Sequence, residues 1–304
     1  MTESVPLELW LPALARFAPD HPLRAWLARA DRLPDGPRGY LAGLSHFFRA
    51  EPAGMPAAAL LREHAAHDAE GASWLSADPC WVQAEMNGAR LLACGQLGLS
   101  MEEAEALAVP LRPVFDEAGM ALLVTTHDRW QLRLADGTEL PEFAGPEQAL
   151  GEDLFQHLPQ GAAGKRWRVL INEVQVLLHQ HPVNAERRAR GLPPVNSLWL
   201  WGGGVLPSRV ESTHNQVIGA DPLLMALAAK AGVVVSARSE ASVRAARRGA
   251  LVDLQDLPVA ELEQAWWPAI EALLLGQPVQ LTFASGERWR HRPWHRWRLW
   301  RRAR

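Results

Sequence analysis

The side chains best spaced for chemistry lie between positions 181 and 204. His181, Asn184 and Arg187 recur three residues apart, Asn196 follows, and Gly202, Gly203 and Gly204 come directly after the apolar run 197–201. Consecutive glycines past a strand leave backbone N–H groups with no side chain in front of them, which suits a phosphate. Arg187, with His181, would add the complementary positive charge. The same residues also have purely structural uses: Asn184 as a helix cap, Arg187 as a solvated helix residue and the glycines as a tight turn. The ligand expected from this pattern is a small phosphorylated or carboxylated molecule, held by His181, Asn184, Arg187, Asn196, Gly202, Gly203 and Gly204.

Other reactive side chains are more scattered. His64, His67 and Asp68 have helical i, i+3, i+4 spacing, which suits a metal but equally a surface or a helix end. His214 and Asn215 follow the glycines and are candidates for the same cleft by position alone. The two cysteines, Cys80 and Cys94, fall on the two arms of an expected hairpin and read as free thiols, with neither the number nor the spacing of a zinc site. Ser-x-x-Lys, Gly-x-Ser-x-Gly and the P-loop lysine motif are all missing. No metal and no cofactor is expected.

The elements that must position these residues follow from periodicity and turn chemistry. A short strand at 7–11 precedes a helix opening at Asp20-His21-Pro22, with Leu23, Trp26 and Leu27 on one face, and further helices at 39–50 and 57–68. Asn87-Gly88 predicts a hairpin with arms 82–86 and 89–94. Ser100 and Glu103 form a capping box for a helix to about Glu117 that Pro110 and Pro113 should kink. Strands at 120–126 and 129–134 follow, and then the clearest helix, 166–181, with Trp167, Leu170, Ile171, Val174, Leu177 and Leu178 at helical spacing. Beyond Pro193-Pro194, strands at 197–201, 233–235, 250–254 and 278–284 alternate with helices at 221–232, 239–248 and 258–275. This alternation predicts an α/β fold: a largely parallel sheet covered by helices, with an inserted α+β subdomain. The expected division is a discontinuous core, 1–75 plus 197–304, an insertion, 76–196, and a basic Trp/Arg-rich tail, 288–304.

Composition sets the outer limits. Apolar residues make up 48% of the 304, enough for a sizeable core, and no apolar run approaches the ~20 residues of a membrane span. The first residues lack a basic segment followed by an apolar one, so a cytoplasmic location is expected. The net charge of −3 hides an asymmetry: residues 288–304 hold eight arginines and no acid, which leaves −11 on residues 1–287. Trp289, Trp294, Trp297 and Trp300 interleave with those arginines. Such a segment could fold back on the acidic body, meet an acidic membrane or protein surface, or, as a weaker expectation, bind nucleic acid by stacking.

Residues 128–134, Asp-Arg-Trp-Gln-Leu-Arg-Leu, residues 172–179, and the run from His181 to Gly204 carry a resemblance. Together they are similar to archaeal-type cofactor-independent phosphoglycerate mutases of the alkaline phosphatase superfamily. The fuller resemblance is to the bacterial RpfE-type regulatory proteins, a group also classed with these mutases. The similarity is good over about 78–204 and weaker on both sides. It implies a mutase-like scaffold and, for the mutases, phosphoryl transfer by two metal ions.

The departures bear on that chemistry. Mutases carry Asp-Gly-x-Gly-Asp at the end of their first strand, where this chain has Leu9-Trp10-Leu11-Pro12-Ala13. Positions 233–254 offer Glu240 and Asp253 but no histidine for the late metal ligands. A two-metal site needs several Asp and His ligands to hold its ions a few ångströms apart. The function expected from the resemblance is therefore a binding or regulatory protein on a degenerate mutase-like scaffold. The alternatives are a mutase or phosphatase-like phosphotransferase with a rearranged site, and an adaptor that docks through the C-terminal segment.

Overall fold

The computed structural model describes residues 5–86, 88–298 and 300. Their strands are β1 (Leu7–Leu11), β2 (Asp31–Arg32), β3 (Phe48–Glu51), β4 (Ser73–Glu85), β5 (Gly88–Cys94), β6 (Met120–Val124) and β7 (Trp130–Leu134). They continue as β8 (Ser197–Val205), β9 (Arg209–Ser212), β10 (Gln216–Gly219), β11 (Val234–Ala237), β12 (Ala250–Asp253), β13 (Val279–Phe283) and β14 (Arg288–His291). The chain divides into two units, one joining the residues up to Gly54 to those from Ser208 onward, the other spanning Met55–Pro207.

In the first unit the sheet order is β11-β10-β12-β1-β13-β14-β2. The first five strands are parallel, and β14 and β2 close the far side antiparallel. Side chains alternate along a strand, so Leu7, Leu9 and Leu11 join Val252, Leu281 and Phe283 in one core layer. Glu8 and Trp10 fall on the other face, opposite Gln280 and Thr282 of β13 and Leu251 and Asp253 of β12. The helix Pro22–Arg29 starts as its sequence dictates: Pro22 needs no N–H bond at the first position, and His21 Nδ1 accepts the Leu23 N–H at 3.0 Å. The strand expected at 233–235 lies at the edge of the sheet. β11 has β10 as its one partner in the sheet, and Val234 and Val235 are exposed. The strands β9 and β10 have no counterpart in the sequence reading.

The second unit is built on β4. One of its edges takes β8 from Ser73 to Cys80, and the other takes first β7 and then β5. All of these pairings are antiparallel, so 197–201 is not the parallel core strand expected of it. The helix Ala57–Ala66 packs on β8, and the division therefore falls at 54/55 and 207/208, not at 75/76 and 196/197. The helix Gly161–His179 lays Trp167, Leu170, Ile171, Val174 and Leu178 into a core shared with Trp130 and Leu132. The Ser100–Glu103 box caps Met101–Ala108, and the prolines split the expected kinked helix, the second part running Arg112–Glu117. Cys80 and Cys94 face each other across β4 and β5 as free thiols.

The C-terminal segment is not a separate tail. β14 pairs with β13, Trp289 packs edge-on against Phe283 at 5.4 Å, and the Arg32 guanidinium lies 4.2 Å over the Trp289 ring. Residues 301–304 lie outside the described residues. No helix among the described residues is long and apolar enough to cross a membrane.

Candidate functional site

The residues expected to form a pocket all lie in the second unit but are not gathered at one place: Asn196 stands just before β8, and Gly202–Gly204 lie toward its other end. His181 caps the helix Pro182–Ala189, its Nδ1 accepting the Val183 N–H at 3.4 Å. Asn184 lies inside that helix, buried, and donates to Leu178 O and Val195 O at 2.7 Å each while its Oδ1 accepts the Val195 N–H at 2.8 Å. Arg187 is fully buried: Nε donates to Pro193 O at 2.9 Å, Nη2 to Leu97 O at 2.6 Å, and Nη1 to Glu103 Oε2 at 2.9 Å. Asn196 extends the β4–β8 ladder with its side chain, accepting the Val82 N–H at 2.8 Å and donating to Val82 O at 2.7 Å.

The glycines serve packing. Gly202 has φ +63°, and a Cβ there would stand 2.7 Å from the Ala57 Cβ; at Gly203 it would meet Leu140 Cδ1 at 2.6 Å. Gly204, at φ +144°, would meet Pro56 Cβ at 3.0 Å. These positions let the helix Ala57–Ala66 and neighbouring side chains sit close on β8. Here a guanidinium and two carboxamides bond backbone carbonyls and act as a clamp, a use that leaves them poorly placed to hold a ligand. Likewise Asp68 takes Arg62 through both oxygens at 2.5 Å, which holds its carboxyl below the usual range, and His67 ends its helix at φ 56°.

The other place to look is where open α/β sheets bind ligands, at the carboxyl ends of parallel strands. In the first unit β12 ends at Asp253, whose neighbour on β10 is Gly219. Asp253 is fully buried; its Oδ1 accepts the Gln255 N–H at 3.2 Å, and its Oδ2 has no hydrogen-bond partner. Burial, then the charges of Asp256 and Asp221, push the Asp253 carboxyl up to about 8. At neutral pH it therefore carries a proton and can donate a hydrogen bond.

Around it stand Asp221, Arg238, Asp256, Tyr40 and Trp10. Asp221 caps the helix Pro222–Lys230 through the Leu224 N–H at 2.8 Å and also accepts the Tyr40 hydroxyl. Tyr40 stacks on Trp10, with ring centres 5.9 Å apart and planes within 5°. Arg238, just beyond β11, donates to Asp253 O at 3.1 Å and grips both oxygens of Asp256. Further along the same face, Glu8 accepts Gln280 at 2.9 Å and Thr282 at 2.6 Å, with His214 Nε2 3.6 Å from its other oxygen. Burial pushes the His214 imidazole down despite Glu8. Asn215 belongs to the same unit, its amide packed against Gly249.

A proton-bearing acid can donate a hydrogen bond to an oxyanion, while Arg238 beside it is held by Asp253 O and Asp256. The arrangement is not a metal centre of the mutase kind. Among the described residues no three or more His, Cys, Asp or Glu side chains are grouped to share an ion. Asp221 and Asp256 are already engaged by Tyr40 and Arg238, so the donor set that the resemblance implies does not fit here. From sequence alone Asp253 stands as a lone carboxylate, and nothing local marks Asp221, Arg238 or Tyr40 as its neighbours. The signal that could have found them was Asp221-Pro222, a helix start directly after an unrecognised strand.

No protein-family model matches the chain. It is 34% identical over 99 residues to the 2,3-bisphosphoglycerate-independent phosphoglycerate mutase of Methanosarcina mazei, covering 31% of this chain and 25% of that protein. With the corresponding mutase of Methanothrix thermoacetophila it is 35% identical over 92 residues, 29% of this chain and 24% of that one. The matched segment thus spans about a quarter of the length of these relatives. Among solved structures, a cofactor-independent phosphoglycerate mutase from Thermoplasma acidophilum aligns at 14% identity with a TM-score of 0.38, covering 95% of this chain and 90% of that one. A Pyrococcus horikoshii protein aligns at 11% identity and TM-score 0.47, covering 94% and 86%. Over less than a third of its length, the chain is homologous to cofactor-independent phosphoglycerate mutases.

Proposed function

We propose that this chain is a binding or regulatory protein of the RpfE type on a phosphoglycerate mutase-like scaffold. It recognises a small phosphorylated or carboxylated ligand at the carboxyl ends of the first unit's parallel strands. The observation that carries this reading is Asp253: fully buried at the end of β12, with an oxygen that has no hydrogen-bond partner and a carboxyl that burial pushes up to about 8. A neutral acid donates to an oxyanion where a carboxylate would repel it. Support against two-metal turnover comes from Leu11-Pro12-Ala13 at the end of β1, where mutases place a metal-holding aspartate.

The test is thermal unfolding with 2- and 3-phosphoglycerate, inorganic phosphate and simple carboxylates, with and without Mn²⁺ or Zn²⁺. A ligand at 100 times its Kd adds about 2.7 kcal/mol. Stabilisation without metal, lost in Asp253→Ala, is the expected result; no shift from any compound would overturn the reading. The 35% identity to a mutase over 92 residues favours a second reading, an enzyme with a rearranged site. Metal-dependent stabilisation accompanied by turnover would establish that one instead.

A further inference from the structure

Of the fourteen tryptophans, the three that are exposed fall within seven residues: Trp294 at 54%, Trp297 at 65% and Trp300 at 77%. The segment bearing them is firmly held. His295 is fully buried, its ring 5.5 Å from that of His291 and its Nε2 3.4 Å from Asp31 Oδ2. Arg298 donates to Arg29 O at 3.1 Å and to Asp31 Oδ1 at 2.5 Å. His291 in turn packs against Trp26, ring centres 5.0 Å apart. Trp294 and Trp297 are therefore presented on an anchored turn, with Trp300 just beyond it. Pro293–Trp297 is a 3-10 helix, in which side chains three apart eclipse, so Trp294 and Trp297 share a side and His295 points into the unit.

Positive charge accompanies the rings. The Arg292 guanidinium lies 5.1 Å from the Trp294 ring centre, and that of Arg296 lies 4.9 Å from Trp297. The nearby acid, Asp31, is already paired with Arg298. The rest of the chain is strongly acidic, −11 over residues 1–287, so attraction to a negative surface must be local to this patch.

We propose that Trp294, Trp297 and Trp300, with Arg292 and Arg296, form a docking surface for an anionic lipid bilayer. Indoles favour the headgroup level of a bilayer, where an apolar body and a polar N–H are both accommodated. Arginines beside them meet lipid phosphates. Stacked single-stranded nucleic acid uses similar side chains but needs a groove that tracks a backbone. Two or three indoles on one short turn match a flat surface better.

The experiment is co-sedimentation of the full chain with vesicles of phosphatidylcholine alone and of phosphatidylcholine with 30% phosphatidylglycerol, with a (dT)20 oligonucleotide as competitor. Expected is partition onto the anionic vesicles at least tenfold above neutral ones, weakening as salt is raised. Trp294→Ala and Trp297→Ala should each lower it roughly tenfold, and Arg296→Gln roughly fivefold. These side chains are exposed, so the variants should keep the wild-type melting temperature, which is checked alongside. Equal partition onto both vesicle types, or tryptophan variants that bind like wild type, would overturn the proposal. Tighter binding to the oligonucleotide than to vesicles would overturn it too, and assign the patch to nucleic acid.

Discussion

Gly219 makes room for Asp253: a Cβ on Gly219 would lie 3.3 Å from the Asp253 Cβ and 3.6 Å from its Oδ2. The two residues are neighbours on parallel strands, so the missing side chain on one leaves space beside a buried oxygen of the other that has no hydrogen-bond partner. Gly219→Ala should therefore weaken ligand binding while leaving the fold intact. Calorimetric titration with the stabilising compound would show this, and unchanged affinity would mean that the ligand sits elsewhere.

Burial of Asp253 also fixes the sign of a pH effect. Its folded value, about 8, lies above the ordinary carboxylate value near ~3.9, so the folded state holds a proton that the unfolded state has lost. This contribution is full below about pH 4 and declines as pH rises toward 8, by at most ~1.4 kcal/mol per pH unit. Asp253→Asn removes the titration and keeps a hydrogen-bond donor. Urea unfolding between pH 5 and 8 should show a flatter pH dependence in Asp253→Asn than in wild type. Identical slopes would mean that Asp253 ionises normally.

Arg187 should matter for stability and not for binding. Its removal strands the carbonyls of Leu97 and Pro193 in the second unit's interior and breaks a buried contact to Glu103. Losing one partner of such a buried pair costs about 3 kcal/mol or more. Arg190, exposed and also paired with Glu103, should cost under ~1 kcal/mol when changed to Ala. Denaturant unfolding separates the two; comparable small losses would show that Arg187 is no clamp.

These residues also show where the sequence was legible. Local rules were reliable: the Ser100–Glu103 box, the proline at the start of Pro22–Arg29 and Pro222–Lys230, and the apolar stripe from Trp167 to Leu178 all appear as read. The partner of a strand was not legible. The 197–201 run is apolar because β8 is buried beside β4, and burial is the same whether the pairing is parallel or antiparallel. The chemistry of 181–204 misled for a related reason. A buried arginine and two asparagines that satisfy backbone carbonyls have the same residue types and spacing as a phosphate cradle, and only their direction distinguishes them. Conversely, Asp253 acquires its character from burial beside a strand too short to stand out, then from Asp256 and from Asp221, 32 positions earlier.

Gly202 tests the same distinction from the backbone side. In an anion cradle an added methyl would block the ligand; here it would strike Ala57 at 2.7 Å, in a left-handed conformation at φ +63°. Gly202→Ala should destabilise the second unit by about 1–3 kcal/mol without changing affinity for any stabilising compound. Loss of affinity at unchanged stability would restore the glycines as a binding loop.

His291 governs the acid side. Burial, then the neighbouring His295, pushes its imidazole down to about 4, below the ordinary value of about 6.5. The unfolded chain therefore binds a proton at His291 that the folded chain refuses, and stability falls as pH drops from about 6.5 to 4. His291 is fully buried against Trp26, so Phe can occupy its place without introducing a charge. His291→Phe should lose less stability than wild type between pH 6.5 and 4. The turn that carries Trp294 and Trp297 rests on this histidine through His295, so vesicle binding should persist to lower pH in the variant. Parallel acid titrations of wild type and His291→Phe, read by unfolding and by co-sedimentation, would expose the link. A wild-type-like acid loss in the variant would place the sensitivity in other groups, the burial-depressed His21, His46 and His214 among them.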